Sequence, residues 1–436
     1  MPGYVENYYC ENCLRDNDLV QALRLSGHDT FVVPLYIPVK MESTSANSVA
    51  DVFFGGINVY LREKFSLYRF APRWFDKLLD APVLLRWAAR KESMTHARDL
   101  AQITLSTLRG PDGNQKKELD RLIKFLTEQE KPDLICLSNA LLLGFAGPLK
   151  ESLGVPIICM LQDEDTFLDA FGDPVRTTIW QTLTENSRHV NLFITTSNYY
   201  NRLMRRRLNL NEDRVKTVYH GIFPDRYPKH TQAPSTPTIG FLSQLRDEKG
   251  LDLLFDAFVI LRKNAKLKNL RLRIAGNTMP DHDPVVKKIK KALHDSGDPG
   301  CVEFITHFDP QARESFFKSL TLLSVPEKQG EAYGLYVLEA LASGVPVVQP
   351  NNGVFPELLQ LTGGGYLFNP NNVHALVEAL EPILTDPDHA HRLGRQGQQG
   401  VQNHFDARDT VKNLIAVFQQ VVDQSKRIKT INEPRP

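Results

Sequence analysis

Apolar runs of strand length alternate with longer helix-period segments along almost the whole chain. The alternation occurs in two series with one break, and this constrains the fold more than any other feature. The first series of strand candidates is Phe31–Tyr36, Asp133–Ser138, Ile157–Leu161, Leu192–Thr196 and Val215–Tyr219. The second is Thr238–Ser243, Leu270–Ala275, Cys301–Thr306, Thr321–Val325, Pro346–Gln349 and Gly365–Phe368. Most are bounded by Gly, Pro, Asn or Asp, the residues that turn a chain. Helix periodicity falls between them, as in Gln115–Gln129, Asn198–Leu208, Leu251–Lys263 and Gly334–Ser343. A strand that is apolar throughout needs cover on both faces, so the pattern predicts parallel sheets sheathed by helices. The break is IFPDRYPKHTQAPSTPT, between Gly221 and Thr238, with four prolines and no apolar period. It reads as a linker, and the chain divides into two doubly wound α/β domains. The expected boundaries are 1–223, a linker over 224–237, and 238–405. A helix over 406–424 crosses back to the first domain.

Composition narrows the function classes. The 436 residues allow roughly two to four domains. A hydrophobic fraction of 42% with 24% charged residues fits a packed fold rather than a disordered chain. Fifty-two Lys and Arg against 51 Asp and Glu leave a net charge of +1, so no global field argues for nucleic acid. Five cysteines, an odd and sparse set, do not make a secreted disulfide framework, and a cytoplasmic location is expected. The start, MPGYVENYYC, lacks a basic and then apolar signal. No stretch reaches the ~18 apolar residues of a spanning helix. The nearest, Leu134–Leu149, is interrupted by Ser138, Asn139, two glycines and Pro148.

Two regions depart from the alternation. Residues 41–114 are aromatic-rich with interspersed basic residues. They read as a helical insertion packed on the first domain, or as a lid, with peripheral membrane contact at the inner face as the weaker reading, since no sustained basic amphipathic face emerges. At the start, Cys13–Gly27 already looks like a first helix and Phe31–Tyr36 like a second strand, with none before them. A missing central strand would leave backbone groups unpaired, which favours a truncated or mis-started chain.

The strongest chemical signal is Ser324–Val348, SVPEKQGEAYGLYVLEALASGVPVV. Gly334 stands where a helix would begin, between Glu331 and Glu339. A glycine there lets the amides of Leu335 and Tyr336 approach a phosphate at the positive end of the helix. Glu339, over a turn further on, can accept from two vicinal hydroxyls, and Glu331 can reach a sugar beyond the phosphates. Two glutamates at this spacing would by themselves suit a solvated surface helix. Set between two strands, the whole string favours the site.

This string resembles the glycosyltransferase family 4 group, whose GT-B fold sets two Rossmann-like domains across a cleft. TIGFLSQLRDEKGLDLLFDAF resembles the first strand, loop and helix of the family's donor domain, and LRIAGN its next strand. VYHGI, TTSNYYNRLM and LVQALRLSGHDTFVVPL resemble first-domain segments. The resemblance implies a nucleotide-sugar donor on the second domain and an acceptor on the first. Lys249 would contact the phosphates, Glu331 the donor sugar, Glu339 the ribose, and the backbone after Gly334 the diphosphate. It implies no cofactor and no metal. The implied partners are a nucleoside diphosphate sugar and a glycan, lipid or metabolite acceptor.

The sequence departs from the family in two places. Gln244 stands where the family has an arginine, and Arg246 is the candidate for the missing charge. Gln162 stands where the family often has a histidine, and a glutamine can hydrogen-bond but not transfer a proton near neutrality. Asp163, Glu164 and Asp165 follow it, and Asp163 and Asp165 are cleft candidates. They also spell a D-x-D metal triplet, which the resemblance argues against. The family places a loop near the donor phosphate or acceptor around Asn12, Arg15, Asp16 and Asn17. Cys10 and Cys13 form a C-x2-C pair without a second pair for zinc, and read as buried or cleft-lining thiols. His220 and His307 sit at strand ends and receive no role. No GxGxxG, Walker A or G-x-S-x-G string occurs. The expected activity is therefore a retaining glycosyl transfer. A glucan or sucrose-phosphate-type synthase on the same fold and a non-enzymatic nucleotide-sugar binder stand as alternatives.

Overall fold

The computed structural model describes residues 11–33, 35, 97–128, 131–227, 234–243, 245–276, 284–296, 298–305 and 308–432. The chain forms two compact units. Among the described residues, the first comprises Asn12–Val218 together with the chain from Val411; the second is Tyr219–Thr410 with Glu11.

The first unit is built on four parallel strands: β1 (Ile135–Leu137), β2 (Ile157–Leu161), β3 (Leu192–Thr195) and β4 (Val215–Thr217). They lie in the order β1-β2-β3-β4, with Ile135 opposite Ile157, Ile158 opposite Leu192, and Phe193 opposite Val215. Every residue of β2 and β3 is buried, as continuous apolar strands require when both faces are covered. Helix boundaries follow local chemistry. Ser197 caps the helix Asn198–Arg207 by accepting from the Tyr200 amide, and Gly154 ends Ala146–Leu153 in the left-handed region. The helix Ala97–Leu108, inside the expected insertion, buries Leu105 and Leu108, and the Leu108 carbonyl accepts from Asn186 at 2.7 Å. Residues 41–96 of that insertion lie outside the described residues, and with them the lid and membrane readings. The long helix Ala407–Asn432 extends beyond the expected end at 424. Its Leu414, Val417 and Val421 pack with Ile158, Met160, Leu192, Ile194 and Val218.

One expected strand is corrected. Phe31, Val32, Val33 and Leu35 belong to no strand. A strand exists only where a neighbour takes its amides, and no described segment pairs with this one. The apolar pattern alone was insufficient.

The second unit has six parallel strands: β5 (Thr238–Leu242), β6 (Arg271–Ala275), β7 (Val302–Ile305), β8 (Leu322–Leu323), β9 (Val347–Pro350) and β10 (Gly365–Phe368). Their order is β10-β9-β8-β5-β6-β7. The chain runs outward from β5 through β6 and β7, then returns to the other side of β5 and runs outward again. The β5–β8 neighbours, with Ile239 opposite Leu322, are therefore the point where the winding reverses. Loops leaving the carboxyl ends of such a pair diverge and open a crevice for ligands. Here they are the loop before the helix Leu251–Leu261 and the segment 324–334 before the helix Leu335–Ala342. Among the described residues no helix is long and apolar enough to cross a membrane.

Candidate functional site

The two loops at the winding reversal meet through backbone geometry. After β5 a short turn, Asp247–Lys249, ends at Gly250, whose φ is +72°. A Cβ at Gly250 would stand 2.1 Å from the Pro326 carbonyl oxygen. Only glycine allows both the left-handed φ and that approach. Lys249 is thereby placed beside the segment that leaves β8. Its Nζ lies 2.8 Å from Glu331 Oε2 and 2.7 Å from Glu327 Oε2. The two family-implied residues, Lys249 and Glu331, thus form an ion pair, and both are largely buried. Glu331 is held from behind as well. Its Oε1 accepts from the Ala332 amide at 3.1 Å, and its carbonyl accepts from the Val354 amide at 2.9 Å.

Gly334 has φ +72° and caps the helix Leu335–Ala342. A Cβ there would find its nearest neighbour at 3.4 Å, so the conformation rather than space demands glycine. Leu335 and Tyr336 open the amide end of a helix in which every residue is buried. Glu339 on this helix is fully buried. Its Oε1 receives Arg313 Nη1 at 3.0 Å and Tyr227 Oη at 3.0 Å. Glu339 Oε1 is thus already engaged by two donors. Tyr333, in the same string, donates to the His220 carbonyl at 3.0 Å.

The structure does not bring every candidate to this group. Arg246, proposed to replace the absent arginine, has a side chain 56% exposed and reaches Glu248 at 3.8 Å. Gln244 and His307 lie outside the described residues, as do Cys10 and the side chains of Asn12, Cys13, Arg15 and Asn17. Glu327 and Arg313 were missed by the sequence reading. Glu327 lies inside the Ser324–Val348 string but was given no role there; Arg313 lies outside every motif, and no sequence signal marks it.

In the first unit the acidic triplet follows β2. Gln162 is buried, donates Nε2–H to Asp16 Oδ1 at 3.0 Å, and its Oε1 finds no partner among the described residues. Asp163 adopts φ +66°, rare outside glycine, and accepts from Thr166. Glu164 is turned inward. It accepts from the Ala140 amide at 2.7 Å, the Gln162 amide at 2.6 Å and Tyr200 Oη at 2.9 Å. Burial pushes its carboxyl above the ordinary range, against the pull of these donors. Burial raises Asp165 also. The triplet enters the helix Glu164–Asp169, where successive side chains diverge, and the central carboxylate is taken by protein donors. Among the described residues no three His, Cys, Asp or Glu side chains gather as metal ligands.

Two parallel α/β units, the second with a basic and an acidic loop joined at its winding reversal, define the GT-B architecture of glycosyltransferases. Solved structures support the fold. A Rickettsia africae glycosyltransferase superposes with TM-score 0.61 at 12% identity, covering 94% of this chain and 96% of that one. Anabaena HepE, solved with UDP and glucose, gives 0.59 at 16%, covering 73% and 96%. Sucrose-phosphate synthase from Thermosynechococcus elongatus gives 0.60 at 17%, covering 71% and 79%. The family model for glycosyl transferases group 1 matches residues 225–400, and that for Glycosyltransferase Family 4 matches residues 89–226. The chain belongs to glycosyltransferase family 4. Among curated relatives, a GDP-mannose-dependent phosphatidylinositol monomannoside mannosyltransferase of Mycobacterium tuberculosis is 28% identical over 188 residues, 42% of this chain and 47% of the relative. A lipopolysaccharide core mannosyltransferase of Rhizobium meliloti is 24% identical over 193 residues, 43% of this chain and 53% of the relative. The chain thus spans about half the length of the curated relatives it matches.

Proposed function

We propose that this protein is a retaining glycosyltransferase that moves a hexosyl group from a nucleoside diphosphate sugar to an acceptor hydroxyl. The observation that carries the reading is the Lys249–Glu331 pair at 2.8 Å, set beside a glycine-opened buried helix at the winding reversal of the second unit. Lys249 meets the diphosphate, the amides of Leu335 and Tyr336 face its oxygens, Glu331 orients the sugar, and Glu339 holds the ribose. The bond from the anomeric carbon to phosphate breaks and the diphosphate leaves with the electron pair. An acceptor oxygen then bonds to the same face of an oxocarbenium-like carbon, and its proton passes to the departing phosphate. Lys249 and the helix amides stabilise the charge that develops on the leaving group, which is where electrostatic catalysis acts most strongly. The first unit binds the acceptor, with Gln162, Asp163 and Asp165 the residues closest to that role.

The names of the relatives and solved structures suggest the substrates to try: GDP-mannose and UDP-glucose as donors, and inositol-lipid or lipopolysaccharide-core acceptors. Nucleotide release from UDP-, GDP- and ADP-sugars is measured with and without such acceptors, for the native chain and for Glu331→Ala. Acceptor-dependent release lost in the variant, with the product anomer matching the donor by NMR, is expected. Donor binding without release under every acceptor would support the non-enzymatic binder instead.

A further inference from the structure

Lys249 is one ammonium held by two buried carboxylates, Glu331 and Glu327. The neighbouring charges pair among themselves. Lys328 lies 3.2 Å from Asp247 and 3.0 Å from Asp252, and Arg246 lies 3.8 Å from Glu248. In their ordinary ionisation states the three central groups sum to one negative charge, at the place where a diphosphate is to dock. When Lys249 turns to a phosphate, the acids lose their shared cation. Glu331 then has the sugar hydroxyls to accept from. Glu327 has no such replacement: its Oε1 accepts from the Gln329 amide at 3.2 Å, but Oε2 faces Lys249 and is otherwise without a hydrogen bond among the described residues. A buried carboxylate stripped of its cation is costly, and the cheaper course is protonation.

We propose that Glu327 is a positioning residue that holds Lys249 before the donor binds and takes up a proton from solvent, on Oε2, when a nucleoside diphosphate sugar binds. The proposal rests on the second unit being the donor site. Burial, reinforced by the charge of Glu331, already pushes the Glu327 carboxyl above the ordinary range even with Lys249 beside it. Losing Lys249 to a phosphate removes the cation that opposes this rise.

The test is titration calorimetry of the full chain with UDP-glucose and GDP-mannose in PIPES and in Tris, buffers of different ionisation enthalpy. Intact nucleotide sugars are used because their diphosphate does not itself titrate near neutrality. The native chain is expected to take up a proton on binding, with Kd weakening by up to about tenfold per pH unit over the pH range in which uptake occurs. Glu327→Gln is expected to bind with no uptake and a flat pH profile, and Glu327→Asp to restore uptake. The aspartate variant separates the proton's role from a mere packing defect, and thermal unfolding verifies that each variant folds. Binding by the native chain with equal heats in both buffers overturns the proposal and leaves the donor site intact. Absence of binding by the folded native chain overturns the donor-site reading and this coupling with it.

Discussion

Glu164 shows how a buried acid stabilises a loop at the expense of a pH-dependent penalty. Two backbone amides and a tyrosine hydroxyl converge on its carboxyl, fixing the turn after β2 to residue 140. Burial nevertheless leaves its folded-state pKa above the ordinary value of 4.5. For an acid raised on folding, the stability contribution is complete below the unfolded value and is lost as pH rises through the folded one. Denaturant unfolding across that window should therefore show the native chain weakening with rising pH. Glu164→Gln should be less stable throughout, because one amide oxygen cannot serve every donor. Its pH slope should be shallower than the native one. An unchanged slope would remove Glu164 as the source. The same residue explains a limit of the sequence. Asp163-Glu164-Asp165 spells a D-x-D triplet, and its letters do not say that the middle carboxylate faces inward. Glu331 and Glu339 were legible through their string. Glu327 was not, because its significance depends on Gly250 backing against Pro326, a contact between segments about 75 residues apart along the chain.

At the scale of elements, two glycines separate strain from collision. Gly334 and Gly250 have nearly the same φ, but only Gly250 also meets a backbone oxygen. Gly334→Ala should cost about 1–2 kcal/mol, the penalty of a left-handed alanine. Gly250→Ala should cost more, and should also weaken nucleotide-sugar binding, because the turn carrying Lys249 must move. Chemical denaturation and binding measured on both variants check this, and equal losses would contradict the close approach. The fully buried strand Ile157–Leu161 has the same bounds in sequence and structure, and so does Gly365–Phe368, a partly exposed strand at the sheet edge. The segment at Phe31 was misread because apolar letters do not supply a pairing partner. Arg313 was invisible for a related reason. The helix Pro310–Lys318 reads as a surface helix until its arginine is found on Glu339.

Over the whole molecule, the first unit is completed by a helix from the far end of the described chain. Leu414 is fully buried among residues of β2 and β3. Leu414→Ala should cost about 2–5 kcal/mol, the usual range for a truncated core leucine. The loss should be local to that unit. Limited proteolysis followed by mass spectrometry should find cleavage around residues 192–218 accelerated before cleavage around 322–350. Equal acceleration in both would show that the units unfold as one. The alternation of apolar runs made two sheets legible. The winding order inside the second sheet was not, because strands of similar composition carry no label for their place.

The chain enters the second unit at Tyr219 and leaves it at Thr410, and Ile222 and Asp406 bridge near those two points. On the ribosome this gives the halves different schedules. The second unit's described residues, Glu11 apart, are contiguous, so it can fold as soon as it emerges. The first, though synthesised earlier, must keep the Ile158 and Ile194 side of its sheet waiting until residues 411–432 have been translated. Its exposure to chaperones and to aggregation is thereby set by the time taken to read through the intervening 192 codons for residues 219–410.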